Sequence, residues 1–308
     1  EYHDIELIGF CDSHDYTSQI IIRSFGIKKF YYLFERNFFV RFFYFLSALI
    51  NVKKINDVDE FLKFKYNNID IGKITYDDVL RRSGIASFNK FSFKLVYHFA
   101  EAMNKSDQYK KILNKIDIAS TIQSEQQFIP SAIIFQQTLK EKIKVYSRNG
   151  HGTRMSIRKF SSFSKRYTFT TDETEKLFKF IYKERRHLTS KLGYKLIKER
   201  FAGNWKAYFE IERIGGHGNK KNYSKKELCK ILNWDINKPI VAIFSHSLID
   251  GNYRNGPRIF KDNLTWLRET LFKIQDIDKL NWMIKPHPND GYYKFANTNT
   301  TKEYNEIV

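Results

Sequence analysis

A chain of 308 residues with 42% hydrophobic content is long enough for two domains of ordinary size and apolar enough to pack them, which excludes a disordered or fibrous class. Its 53 Lys and Arg against 34 Asp and Glu leave a charge of +19, which favours anionic partners such as nucleic acid, anionic lipid, or nucleotide-linked and polysaccharide substrates. Two distant cysteines, Cys11 and Cys229, match no metal or redox spacing, exclude a disulfide scaffold and suit a cytoplasmic address. Lys, Asn, Ile, Phe and Tyr are all abundant, so part of the charge reads as the composition of AT-rich coding. From Glu1 to Val308 the chain reads as a stretch of a longer protein.

In chain order, Ile5 to Phe10 reads as a strand ending at the polar turn Asp12-Ser13-His14-Asp15, and Tyr16 to Phe25 as a helix. Phe30 to Ile50 is rich in Phe, Tyr and Leu but interrupted by Glu35, Arg36 and Arg41, so it falls short of the roughly 20 apolar residues of a membrane span. It is expected as a helix packed on its own domain, with a basic amphipathic segment resting on the inner membrane face as the alternative. A turn at Ile69-Asp70-Ile71-Gly72 enters a helix through Asp78 and Arg81, and Phe91 to Leu113 is a long helical stretch. Asp117 to Ile122, Pro130 to Lys140 and Ile143 to Ser147 form a strand, a helix with proline in its first turn and a strand, which implies a parallel sheet.

Asp172 to Phe201 keeps helical spacing, and Gly215-Gly216-His217-Gly218-Asn219 breaks it as a linker would. The expected domains are therefore 1–215 and 216–308. The second opens with Ser224 as N-cap of a helix over Lys225 to Leu232. Ile240 to Phe244 is a continuous apolar run of the kind a strand covered on both faces requires. Asp262 to Phe272 is an amphipathic helix and Trp282-Met283-Ile284 the next strand, giving a second βαβ unit and about half of a doubly wound domain.

Chemistry concentrates where these strands end. After the second strand of the C-terminal unit come Lys285-Pro286-His287-Pro288, whose prolines fix φ and stop the strand, so two basic side chains point to one place. Such a cationic corner suits the phosphates of a nucleotide-sugar, whose departure it would ease. Ser245 and His246 end the preceding strand, where an open α/β sheet presents ligand-binding loops. In the first domain, Arg148-Asn149-Gly150-His151-Gly152-Thr153-Arg154 follows a strand, and the glycines leave room for substrate beside His151, a residue type able to take a proton at neutral pH. Gly216-His217-Gly218 repeats the triplet without a preceding strand. No carboxylates or histidines recur at metal-ligand spacing: Asp12, His14 and Asp15 read as a turn, and Asp77 and Asp78 as a solvated helix start.

The stretch Ile240 to Asn289 resembles the capsule polysaccharide biosynthesis family. The resemblance is carried by Ser245-His246, Asp250 in the next loop, Trp266 on the helix and Trp282-Met283-Ile284-Lys285-Pro286-His287-Pro288. It extends more weakly to Asp70-Ile71-Gly72-Lys73 with Asp77 and Arg81, and to Gln136-Gln137-Thr138 leading into His151-Gly152-Thr153. That family is related to the bacterial Kdo transferases and shares a GT-B fold, two Rossmann-like domains facing a cleft, with the CDP-glycerol glycerophosphotransferases. The resemblance implies that His287, with Lys285 beside it, binds the donor phosphate, and that His151 is catalytic. Ser245 and His246 join the phosphate site, and Gly152, Thr153, Arg154 and Asp250 contact substrate. Asp70, Asp77 and Glu125 compete with His151 as carboxylate bases. Gly150 stands where relatives carry a larger hydrophobic residue, and the units that hold ribose and base in the family have no counterpart in Gly291 to Val308.

The expected activity is transfer of a sugar from a nucleotide-activated donor, CMP- or UDP-linked, to an oligosaccharide or lipid-linked glycan acceptor, with no metal or other cofactor. The expected setting is cytoplasmic, at the inner membrane beside polysaccharide-assembly proteins. Transfer of a polyol phosphate from a CDP-glycerol-like donor, a non-catalytic subunit, and a nucleic-acid-binding protein are the alternatives. Against the last, no nucleic-acid motif is present and the basic residues are spread throughout.

Overall fold

Apolar runs bounded by polar turns form the strands, in parallel pairs joined through helices, as a computed structural model shows over residues 5–11, 16–33, 35–123, 125–149, 156–167, 172–201, 223–253, 256, 258–287 and 300–307. The architecture is mixed α/β with small sheets, and the chain divides into two compact units. The first comprises residues 1–82, 88–147 and 159–167; the second comprises 83–87, 148–158 and 168–308.

In the first unit, β1 (Ile8–Cys11) and β2 (Lys29–Tyr32) pair in parallel across α1 (Tyr16–Ser24). The single helix expected over Phe30 to Ile50 is corrected here. Its first residues complete β2, and Asn37 restarts the chain as α2 (Phe38–Lys53) by accepting hydrogen bonds from the amides of Phe39 and Val40. A short α3 (Val58–Lys63), capped by Asp57, went unread in the sequence. It lies against the start of α4 (Ile71–Ser83) so closely that a Cβ on Gly72 would stand 1.9 Å from the Phe61 carbonyl oxygen, so only glycine fits there.

The long α5 (Phe93–Leu113), capped by Ser92, packs along α2 and buries Leu95, Phe99 and Met103 with Phe61 and Leu80. Several of its polar side chains are hydrogen-bonded. Asp107 accepts from the hydroxyls of Tyr44 and Tyr66, both at 2.7 Å, and from Asn67 at 2.8 Å, while Gln137 donates to Ser106. The expected βαβ unit is present as β3 (Ser120–Gln123), α6 (Ser131–Lys140) and β4 (Lys144–Asn149), with β3 and β4 parallel and β5 (Ser156–Phe160) on the far side of β4.

In the second unit the helical stretch after Asp172 is two helices, α7 (Asp172–Glu184) and α8 (Arg186–Phe201). α9 (Lys225–Leu232) begins with a reciprocal capping box between Ser224 and Glu227 and ends on Asn233 in the left-handed region. Then β6 (Ile240–Phe244), α10 (Asn263–Ile274) and β7 (Asn281–Lys285) form the second expected βαβ unit, followed by α11 (Thr300–Ile307). Leu264, Leu267 and Leu271 of α10 pack with Leu248 and Ala86, and Arg268 anchors α11 through the buried Glu303 at 2.6 Å. β6 is half-buried rather than covered on both faces, because among the described residues β7 is its one partner.

The division of the chain differs from the boundary read at 215/216. The linker glycines lie outside the described residues, and everything from Thr168 onward clusters with the second unit. A glycine run marks a break in local pattern, whereas membership of a unit follows packing, as Ala86 shows by joining the leucines of α10.

Candidate functional site

The strand register of the second unit assembles the site. β6 and β7 are parallel with Phe244 opposite Lys285, and the amide of Ser245 extends the ladder by donating to the Lys285 carbonyl at 3.1 Å. His246 and His287 each stand two residues beyond that matched pair, so they leave the sheet side by side. Their ring centroids are 5.4 Å apart at 30°. Lys285 is exposed, its Nζ 5.7 Å from the centre of the Phe244 ring. Thus Ser245, His246, Lys285 and His287, read separately from two stretches of sequence, meet at the carboxyl edge of one strand pair.

Two residues that motif reading passed over hold His246 in place. The imidazole Nδ1 lies 3.0 Å from the Ser247 carbonyl, and Asn263, the first residue of α10, donates to that same carbonyl at 3.0 Å. A donating Nδ1 leaves Nε2 as the nitrogen free to meet a ligand. Arg258 donates to the Asn263 side chain, bringing a guanidinium to this end of α10. Asn252 accepts from the Asn263 amide at 2.9 Å. Asp262 has its carboxylate engaged in capping α10 at Thr265, 2.7 Å away. The sequence signal was the helix start itself: a capping Asp followed by a polar residue, with an arginine four residues upstream of that Asp.

Asp250 lies in the turn after β6, its amide donating to the Ser247 carbonyl at 3.4 Å. The arrangement therefore brings two imidazoles, a lysine, an arginine and the positive end of a helix to one edge, a set suited to a phosphate or diphosphate.

The candidates of the first unit are placed differently. Asp70 is 3% exposed and receives Arg166 through Nε at 2.9 Å and through a terminal nitrogen at 2.7 Å, together with the Tyr167 hydroxyl. Burial pushes its carboxyl up, but the hydrogen bonds from Tyr167 and Arg166, with Lys73 nearby, outweigh this and hold it below the ordinary range. Burial and the Asp70 carboxylate push Tyr167 in the other direction, upward. A carboxylate held ionised by an adjacent guanidinium is a weak proton acceptor.

Asp77 and Asp78, read as a solvated helix start, are buried at 3% and 1%. Asp78 pairs with Arg82 at 3.1 Å, lies 3.0 Å from the His98 Nδ1 and accepts from the Ile129 amide. The helix face there packs inward, and the buried charge is matched rather than solvated. Glu125 accepts from the amides of Gln126 and Gln127, a local turn. His151, Gly152, Thr153 and Arg154 lie outside the described residues. Among the described residues no three His, Cys, Asp or Glu side chains are grouped to hold a metal ion.

Comparison of the chain with protein-family models, curated proteins and solved structures finds no match in any of the three, so the likeness to capsule polysaccharide enzymes rests on the motif residues alone.

Proposed function

We propose that this chain is part of a glycosyltransferase of surface polysaccharide biosynthesis, with the phosphates of a nucleotide-activated sugar held by His246, His287, Lys285 and Arg258. The observation that supports this best is the side-by-side placement of the two histidines at the ends of adjacent parallel strands, next to the first turn of α10. At that edge the lysine and arginine would offset the charge that develops on the leaving phosphate and donate hydrogen bonds to its oxygens, with the two imidazoles lining the same place. The proposed architecture is the GT-B type. The proposed base is His151, the proposed acceptor a glycan or lipid-linked glycan, and the proposed place of action the inner face of the membrane.

The test is binding, then turnover. CMP, CDP and UDP are titrated into the full chain by calorimetry, and the matching sugar-linked donors are assayed for transfer and hydrolysis. Binding of at least one nucleotide that weakens about tenfold in His287→Ala supports the reading, and indifference of the chain to all three counts decisively against it. His151→Ala should keep donor affinity and lose turnover. The same phosphate site would serve polyol-phosphate transfer, and turnover of CDP-glycerol in place of sugar donors would select that chemistry.

A further inference from the structure

α2 has two apolar sides. One packs on α5 and buries Ala48 and Val52. On the other, Phe38, Phe39, Phe42, Phe43, Leu46 and Ile50 are between 42% and 79% exposed. At 100° per residue these six span an arc of roughly 140°. The surface continues onto α5, where the Phe93 ring stacks on Phe45 with centroids 6.4 Å apart, and Phe93 and Tyr97 are themselves 78% and 50% exposed. Six or more large side chains in one uncovered patch exceed what scattered surface residues need as explanation.

The exposed charges beside the patch are predominantly cationic, with Glu35 and Glu101 the acids that border it near Phe38 and Tyr97. α2 and residues 90–97 contain Arg41, Lys53, Lys90 and Lys94 and no acidic residue, and Arg36 and Lys54 flank α2; all six cations are exposed. At 16 residues α2 is about 24 Å long, and no helix among the described residues is long and apolar enough to cross a membrane. A short helix with an aromatic face and a cationic margin is the pattern of a segment that lies in the plane of a lipid interface.

We infer that the α2 face, with Phe93 and Tyr97, docks on an anionic lipid bilayer. This rests on the peripheral membrane placement proposed above and is independent of the transfer chemistry. The phenylalanines enter the acyl boundary while Arg36, Arg41, Lys53, Lys54, Lys90 and Lys94 remain at the headgroups. Each cation near an anionic surface contributes about a fivefold gain in partitioning.

The experiment is co-sedimentation of the full chain with vesicles of phosphatidylcholine alone and of phosphatidylcholine with phosphatidylglycerol. Binding to the mixed vesicles at least tenfold stronger than to the neutral ones is expected. Phe39→Glu with Phe43→Glu should reduce it at least tenfold, and Lys53→Glu with Lys54→Glu should remove most of the preference for anionic lipid. Both pairs are exposed, and circular dichroism confirms that the variants fold. Absence of vesicle binding, or binding unchanged by both pairs, overturns the inference. So does a dimer seen by light scattering that Phe39→Glu with Phe43→Glu dissociates while vesicle binding is absent, since a second copy would then own the surface. Nucleotide affinity measured on the same samples keeps this outcome separate from that of the donor site.

Discussion

Two charged clusters, one in each unit, show how the same residue types serve different ends. Around Asp70 the charges are balanced and enclosed: Arg166 gives two nitrogens to the carboxylate and a third to the Phe163 carbonyl, and its guanidinium lies 4.0 Å from the centre of the Phe163 ring. Around His246 and His287 cations predominate, with the Asp262 carboxylate engaged in capping α10, and Lys285 is exposed. A matched, largely enclosed pair fixes a loop onto a helix; a predominantly cationic edge at strand ends is where an anion can be bound. The lesson is that neither the presence of an Asp nor its burial identifies a catalytic group, because what its partners leave free decides.

The largest expected effect breaks the closed cluster. Asp70→Ala leaves the Arg166 guanidinium, only 15% exposed, without its partner and should cost about 3 kcal/mol in urea unfolding, while the folded fraction keeps its nucleotide affinity. Equal loss of stability in Asp70→Asn would show that charge, rather than hydrogen bonding, carries the pair.

A second effect concerns Lys105, 5% exposed on α5 and 3.1 Å from Glu101. Burial lowers its pKa to about 8 from 10.5. Burial likewise raises Glu101, with Arg82 opposing and Asp78 adding to the rise. Desolvation thus outweighs pairing on both sides. Between pH 8 and 10.5 the unfolded chain binds the Lys105 proton more tightly than the folded one, so stability should rise with pH across that window. The gain, on the order of 2–3 kcal/mol, should vanish in Lys105→Met when urea midpoints at pH 7.5 and 10 are compared.

Within the open cluster, His287→Ala should weaken nucleotide binding about tenfold, equivalent to about 1.4 kcal/mol, and leave thermal stability within about 0.5 kcal/mol. A large stability loss there would make the pair of histidines structural and erase the contrast with Asp70. The smallest effect is expected from Asp262→Asn. Asparagine still caps α10, so stability should move by less than about 0.5 kcal/mol, while removal of a negative charge beside the site should raise nucleotide affinity slightly.

Local pattern carried much of the fold. The runs Ile240 to Phe244 and Lys225 to Leu232, and the cap Ser224, were legible because apolar stretches and N-cap residues act within a few residues of themselves. The candidate site was legible in part for the same reason: prolines after β7 mark a strand end whatever the strand packs against. Asn263 and Arg258 were not, because an asparagine and an arginine in a loop have no signature until a histidine from another strand is seen beside them. Phe30 to Ile50 failed as one helix because strand pairing with β1 competes for Lys29 to Tyr32, a contact 21 residues away.

Composition and spacing alone settled the mixed α/β class of the chain, its two βαβ units, and which basic residues end their strands, since these depend on backbone preference and periodicity over short range. The partners of each charge were settled by the folded chain. Whether Asp78 meets water or His98, whether His246 faces solvent or His287, and whether the phenylalanines of α2 are covered all turn on residues distant in sequence, brought together by burial and strand register.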